Sequence, residues 1–251
     1  MIRAGLVSVT FRKLRAAEIV RLAVEAKLEG IEWGGDVHVP HGDVPCAKEV
    51  ARLTADAGLE VASYASYYHV AEDPPASFAG VLECAISLGA PLIRVWAGRR
   101  GSDQADADYR RRVVEDSIRV ADLAALQDIA VAFEFHDGTL NDRPDASRRL
   151  LEAIGRPNVS TYWQPQVESS VDECLEGLRT LLERITNVHV YHWQGAQRLP
   201  LERGQDRWGR YLEIVSRSGR SHWAMLEFVA DDSPDNLLRD AATLRGLLRE
   251  L

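Results

Sequence analysis

The chain has 251 residues, of which 46% are hydrophobic and 27% are charged, so it can bury a sizeable core within one domain. Its formal net charge of -8 would repel a phosphate backbone, which argues against a nucleic-acid partner. The three cysteines form no CxxC pair, and no apolar run reaches the roughly 18 residues of a membrane span. We therefore expect a cytoplasmic protein with reduced cysteines and no membrane contact.

Short runs rich in β-forming residues alternate with helical patterns along the whole chain. In order, these runs are AGLVSV, GIEW, LEVASY, PLIRVWA, IAVAFEF, VSTYW, VHVYHW and WAMLEFV. Between them, segments such as AAEIVRLAVEAKLEG repeat apolar residues at intervals of three and four, which is typical of amphipathic helices. About eight such units predict an α/β fold, a (β/α)8 TIM barrel in a single domain over residues 1–251. No GxGxxG or GxxxxGK[ST] loop follows a strand, so a dinucleotide or P-loop site is not predicted.

Two of the predicted strands carry a glutamate where a buried apolar residue is expected. Glu134 lies between two phenylalanines in the fifth strand, and Glu227 lies between a leucine and a phenylalanine in the last. A buried carboxylate needs a partner, and strand alternation turns both side chains toward the barrel interior. The same alternation places the side chain of His189, in the seventh strand, on the inward face. Each residue alone could be a core residue or an ion pair, for instance with Arg94, but the three together favour a metal site.

Several segments resemble the xylose isomerase-like TIM-barrel superfamily, and in particular its sugar phosphate isomerase/epimerase branch. They are GIEWGGDVHVPHGD, ASYASYYHV, FEFHDGTLNDRPDASRRLLEAI, NVHVYHW and MLEF, so the resemblance spans essentially the whole chain. It implies one divalent metal ion, manganese foremost and Mg, Co or Zn as alternatives, bound by Glu, Asp, His and Glu from the fifth to eighth strands. Three of these ligands correspond to Glu134, His189 and Glu227.

The fourth ligand position departs from the family pattern. Gln164 stands before a proline where the family has Asp, and Val167 stands where the epimerases often have His. An amide oxygen can still bind a hard cation, so the predicted metal ligands are Glu134, Gln164, His189 and Glu227. Loss of the metal in a non-catalytic sugar-binding barrel is the alternative reading.

The resemblance also implies a reaction. Glu134 and Glu227 would form an acid/base pair that moves a proton next to the carbonyl of a sugar or keto-sugar, through a metal-stabilised enediolate. Isomerisation or epimerisation would result, whereas a leaving group β to the enolate would make the same site a dehydratase or lyase, for instance on an inosose. An endonuclease IV-like enzyme is a remote alternative, because 7 histidines and the negative charge suit neither a trinuclear zinc site nor DNA.

Aromatic and polar residues cluster at or just beyond the predicted strand ends, which suits a small-molecule carbohydrate partner. The predicted substrate-binding residues are Trp33, Tyr68, His69, Trp96, His136, Gln166, Tyr191, His192 and Trp193, with Tyr67 and Trp163 at similar positions. His192 replaces an acidic residue that relatives usually have, which suggests an altered substrate. The long segment QGAQRLPLERGQDRW is a candidate lid whose arginines could meet a phosphate or carboxylate, or simply remain solvated. Assembly into a homo-oligomer is compatible with the sequence.

Overall fold

The computed structural model describes residues 1–251, and eight parallel strands close into a barrel. The barrel strands are β1 (Ile2–Val7), β2 (Gly30–Gly34), β3 (Glu60–His69), β4 (Leu92–Trp96), β5 (Ala130–Phe133), β6 (Val159–Trp163), β7 (Ile185–Val190) and β10 (His222–Leu226). Each strand pairs with its sequence neighbour in the barrel, and β1 closes the ring by pairing with β10. The predicted (β/α)8 architecture is confirmed.

Eight α-helices surround the strands. They are α1 (Ala16–Glu25), α2 (Val44–Asp56), α3 (Phe78–Leu88), α4 (Ala107–Ala125), α5 (Pro144–Ile154), α6 (Val171–Leu181), α7 (Gln205–Ser216) and α8 (Pro234–Arg249). Local chemistry sets their ends: the Ser170 hydroxyl caps α6, while Gly89 and Gly155 end α3 and α5 with left-handed φ of 70° and 59°. No helix is both long and apolar enough to cross a membrane.

The chain between β7 and α7 adds a small antiparallel hairpin outside the barrel. Its strands are β8 (Trp193–Gln194) and β9 (Gln197–Arg198), joined by a turn in which Gly195 adopts a φ of 54°. Four more residues, Leu201–Gly204, form a 3-10 turn before α7 begins. The long segment that the sequence marks as a candidate lid therefore forms a hairpin and a 3-10 turn that lead into α7.

The barrel interior divides into an apolar lower part and a polar upper part. Side chains such as Leu92, Ala132, Trp223 and Met225 form a small buried cluster low in the barrel. Gly30 makes room for it, because a Cβ there would lie 2.6 Å from the Trp223 ring. The next inward-facing residues along β4, β5 and β10 are Arg94, Glu134 and Glu227. These charged side chains lie at the floor of the candidate site.

Candidate metal centre

Four side chains from adjacent strands meet at the carboxyl-terminal mouth of the barrel. Glu134 follows β5, Gln164 follows β6, His189 belongs to β7 and Glu227 follows β10. The ladder continues past the assigned strand ends, since Glu134 N donates to Val95 O and Glu227 N donates to a β7 carbonyl, each at 3.0 Å. This extra pairing keeps both glutamates on the inward face. All four side chains are buried.

The distances between these groups suit a shared cation. Ligand atoms of Glu134, His189 and Glu227 lie within 4.8 Å of one another. Three oxygens surround His189 Nδ1: Gln164 Oε1 at 3.0 Å, Glu227 Oε2 at 3.4 Å and Glu134 Oε1 at 4.0 Å. Two carboxylates, an imidazole and an amide oxygen are ligands that Mn²⁺ and similar divalent cations accept. The residues therefore fit the divalent metal ion that the family resemblance implies, and their role as ligands remains a prediction.

A second layer of charge lies directly beneath. Arg94, on β4, is 1% exposed and forms an ion pair with Glu134. Its Nε also donates to Oε1 of Glu32, on β2, at 2.9 Å. Glu32 is fully buried and accepts hydrogen bonds from Ser63 Oγ at 2.6 Å and Tyr162 Oη at 2.7 Å. Two carboxylates thus share one buried guanidinium.

This environment keeps Glu32 charged. Burial by itself would raise the pKa of Glu32, but the Arg94 charge and the contacts with His189 and Ser63 outweigh it and hold the pKa well below its usual range. At formal charges, Glu32, Glu134 and Glu227 with Arg94 sum to minus two, which one divalent cation would balance. Charge as well as geometry favours a divalent ion at this point.

Glu32 was not predicted from the sequence, and Arg94 was predicted only as a hypothetical ion-pair partner of a strand glutamate. The signal for Glu32 was present, because GIEW places a carboxylate within a short apolar strand just as FEFH does. The same test that singled out Glu134 would have found it. Arg94 in PLIRVWA is a third charged residue of this kind.

A cavity of about 520 Å³ opens above the four side chains. Glu134, Gln164 and Glu227 form part of its wall, so a molecule in the cavity can reach the candidate metal ligands. Of the predicted substrate-binding residues, four line this cavity: His136, Gln166, Tyr191 and Trp193. Tyr191 is fixed by donating to Pro165 O at 2.7 Å, and Gln166 donates to Asp137 and to Asp142 O, each at 2.8 Å.

An aromatic row continues from the cavity toward β3. The rings of His136 and Trp96 have centroids 4.5 Å apart, and Trp96 lies 5.1 Å from His69 and 6.2 Å from Tyr67. His69 and Trp96 therefore lie behind His136 instead of on the cavity wall. Tyr67 is half-buried with a φ of 56°, an unusual value for a bulky residue, and its ring lies 5.1 Å from the Arg94 guanidinium. These residues support the wall formed by His136.

The structure corrects the prediction that Trp33 and Tyr68 bind substrate. Trp33 is fully buried and donates from Nε1 to Thr54 Oγ1 in α2 at 3.2 Å. Tyr68 is also fully buried, and its hydroxyl contacts Asp116 in α4 at 3.3 Å. Trp33 follows the inward-facing Glu32, so strand alternation turns it outward toward the helices. Both aromatic rings pack between strand and helix, where a substrate cannot reach them.

His192 and Trp163 also face away from the cavity. His192 is buried against the turn before α7, so closely that a Cβ on Gly204 would lie 2.7 Å from His192 Nδ1. Trp163 packs edge-on against Trp208 and Tyr211 of α7. The substitution at His192 is therefore a packing feature in this structure, and the prediction of a substrate contact there is corrected.

The hairpin contributes one edge of the cavity. Trp193, Gly195 and Ala196 lie on the cavity wall. Arg198 forms an ion pair with Asp232 and lies 4.8 Å from the Phe228 ring, so it links the hairpin to the segment after β10. Its charge is already paired, which weakens the reading of Arg198 as a phosphate ligand.

Comparison with solved structures shows the same fold at low identity. A probable 3-DHS dehydratase, AsbF, from Bacillus anthracis shares 19% identity at a TM-score of 0.80, covering 98% of this chain and 99% of that one. D-psicose 3-epimerase from Clostridium cellulolyticum H10, solved with D-tagatose, shares 13% at 0.75, covering 98% of each chain. A xylose isomerase-like TIM barrel protein from Mycobacterium smegmatis, in complex with magnesium, shares 15% at 0.73, covering 99% and 97%.

No curated protein matches the sequence significantly. The model of the xylose isomerase-like TIM barrel family, however, matches residues 20–250, nearly the entire chain. Both the closed eight-stranded barrel and this match agree with the resemblance seen in the sequence. The chain belongs to the xylose isomerase-like TIM barrel family.

Proposed function

We propose that this protein is a divalent-metal-dependent isomerase or epimerase acting on a sugar or keto-sugar. The observation that carries the proposal is the convergence of Glu134, Gln164, His189 and Glu227 at the floor of a cavity with aromatic and polar walls. When bound there, a divalent cation, manganese foremost, would polarise a carbonyl and stabilise the negative charge that develops after proton removal. Membership of the xylose isomerase-like family supports the proposal of sugar isomerase or epimerase chemistry.

The two glutamates have different surroundings, and this suggests different roles. Glu134 is paired with Arg94, whereas Glu227 forms no ion pair with an arginine. A guanidinium favours the ionised form of its partner and lowers its basicity. We assign removal of the proton next to the carbonyl to Glu227. Isomerisation is complete when Glu227 returns this proton to the neighbouring carbon, whereas epimerisation requires that Glu134 takes up a proton from solvent and delivers it to the carbon that Glu227 has deprotonated.

The cavity walls suit a carbohydrate. The rings of His136, Tyr191 and Trp193 offer apolar faces for C–H groups. Gln166 and the exposed Glu168 on the same wall offer polar groups to hydroxyls. A small polyhydroxylated ketone fits this combination better than a fully apolar ligand.

Elimination from the same enediolate is the second candidate. It needs only a leaving group β to the carbonyl and no change in Glu134 or Glu227. The structure with a TM-score of 0.80 to this chain is that of a probable 3-DHS dehydratase. This similarity supports a dehydratase or lyase as the second candidate. Product analysis separates the two outcomes, because elimination releases water or another leaving group and forms a double bond.

The test is a screen for exchange of substrate hydrogen with solvent. Ketoses, 3-keto sugars and inososes are incubated with protein and Mg²⁺ in D₂O, and deuterium incorporation is followed by NMR. For a substrate that exchanges, we expect Glu227→Gln to reduce the rate by about two to four orders of magnitude. Glu83→Gln, which changes an exposed carboxylate on α3 outside the cavity, is the matched control and should retain the rate. Full activity in Glu227→Gln would contradict the assignment.

A further inference from the structure

Glu32 touches the candidate metal centre from below without reaching the cavity. It is fully buried, belongs to β2 and is absent from the cavity wall. We propose that Glu32 is a positioning residue that holds the His189 ring with Nδ1 turned toward the metal ligands. The inference rests on the metal site of the proposed function and deepens it.

The hydrogen bonds around Glu32 assign a proton to Nε2 of the His189 ring. Glu32 Oε2 accepts from Ser63 Oγ and Tyr162 Oη, and Oε1 accepts from Arg94 Nε at 2.9 Å. His189 Nε2 lies 3.3 Å from the same Oε1. An ionised carboxylate can only accept, so the hydrogen between these two atoms belongs to Nε2. Glu32 therefore holds a proton on Nε2, and any proton that Nδ1 shares with the Gln164 oxygen would leave when a cation binds there.

The other ring nitrogen then becomes available to the metal. Nδ1 faces Gln164, Glu227 and Glu134 at 3.0 to 4.0 Å. Metal-binding histidines generally donate their second N–H to a carboxylate or carbonyl, which fixes the ring and raises its basicity. Glu32 occupies that place for His189.

Glu32 reaches a second ligand through Arg94. The guanidinium binds Glu32 through Nε and Glu134 through Nη1, so its position depends on both carboxylates. Displacing the Glu32 carboxylate would therefore disturb Glu134 on β5 and His189 on β7 together. One residue on the far side of the barrel would align two of the four candidate ligands.

Glu32→Asp tests this because it keeps the charge but withdraws the carboxylate by one methylene. Calorimetry with Zn²⁺ compares its metal affinity with that of wild type. Asp240→Asn is the matched control: Asp240 is a buried carboxylate in α8 that accepts from Leu201 N at 2.8 Å, remote in the fold from β2. We expect Glu32→Asp to weaken Zn²⁺ binding about 10- to 100-fold and the control to bind as wild type does. Unchanged affinity in Glu32→Asp would overturn the proposal.

The ¹⁵N spectrum of the His189 ring gives a readout that needs no folded variant of Glu32. In wild type with Zn²⁺, we expect Nε2 to keep its proton and Nδ1 to bind the metal, with the signals assigned by their loss in His189→Gln. Zn²⁺ on Nε2 would overturn the proposal. If wild type bound no metal, the proposed function would fail by itself. The metal-free spectrum would still decide the Glu32 assignment, since an Nε2 without a proton refutes it.

Discussion

Removing one hydroxyl group from Tyr162 tests the polar network beneath the cavity. Tyr162 Oη donates to Glu32 Oε2 at 2.7 Å and accepts from Asn187 Nδ2 at 3.1 Å. Tyr162→Phe deletes a hydrogen bond to a charged group, worth about 1.5–3 kcal/mol, and leaves a buried amide donor unpaired, at about 1–3 kcal/mol. Asn187 cannot easily turn away, because its Oδ1 accepts from Trp223 N at 3.0 Å. Glu32 retains its other donors, so we expect a total loss in the lower part of the combined range, about 2.5–4 kcal/mol.

Thermal and urea unfolding of the metal-free protein measure this loss without a contribution from bound metal. For a chain of this length, the expected fall in Tm is about 5–15 °C. Tyr211→Phe is the control, since Tyr211 is equally buried but packs among Trp163 and Trp208 with no carboxylate partner. We expect it to lose about 1 kcal/mol. The reasoning would be refuted if Tyr162→Phe were no more destabilising than Tyr211→Phe.

The other predictions concern the metal, the pH dependence of stability and one corrected residue. Gln164→Asp should tighten Mn²⁺ binding in calorimetry, because it adds a negative ligand; weaker or unchanged affinity would mean that Gln164 is not a ligand. Burial raises the pKa of Asp240 to about 6, above its unfolded value, so its contribution to stability is present near pH 4 and lost as the pH rises through 6. Unfolding of Asp240→Asn should therefore lack that decline, and parallel pH profiles would contradict the assignment. Tyr68→Phe should leave KM for any identified substrate unchanged while lowering Tm, because Tyr68 contacts α4; a raised KM would return Tyr68 to the site.

The fold could be predicted because the same pattern, a strand-like run followed by a helical segment, repeats about eight times in the sequence. Each strand run in the sequence contains or overlaps a barrel strand, and one misjudged boundary does not alter the pattern of eight. The structure ends β5 at Phe133, before Glu134, yet backbone pairing continues and the side chain still faces inward. Alternation in the sequence therefore located the two glutamates and the histidine correctly on the inner face.

The errors arose where residues were chosen by closeness to a strand end instead of by face. Trp33 adjoins Glu32, so the alternation that turns one inward turns the other outward. The partners of Glu32 were beyond the reach of the sequence for a different reason. Its contacts with Arg94, Tyr162 and His189 span β4, β6 and β7, and they depend on the relative stagger of strands around the closed barrel. That stagger has no local sequence signature.

Titration of chelator-treated protein with Mn²⁺ tests the central claim most directly. Wild type and His189→Gln are compared by calorimetry, with metal content confirmed by elemental analysis. The account predicts one equivalent of bound Mn²⁺ in wild type and a loss of affinity of at least about 10-fold in His189→Gln, because Nδ1 is the centre of the ligand set. No binding to wild type at saturating Mn²⁺, or equal binding by both proteins, would contradict it.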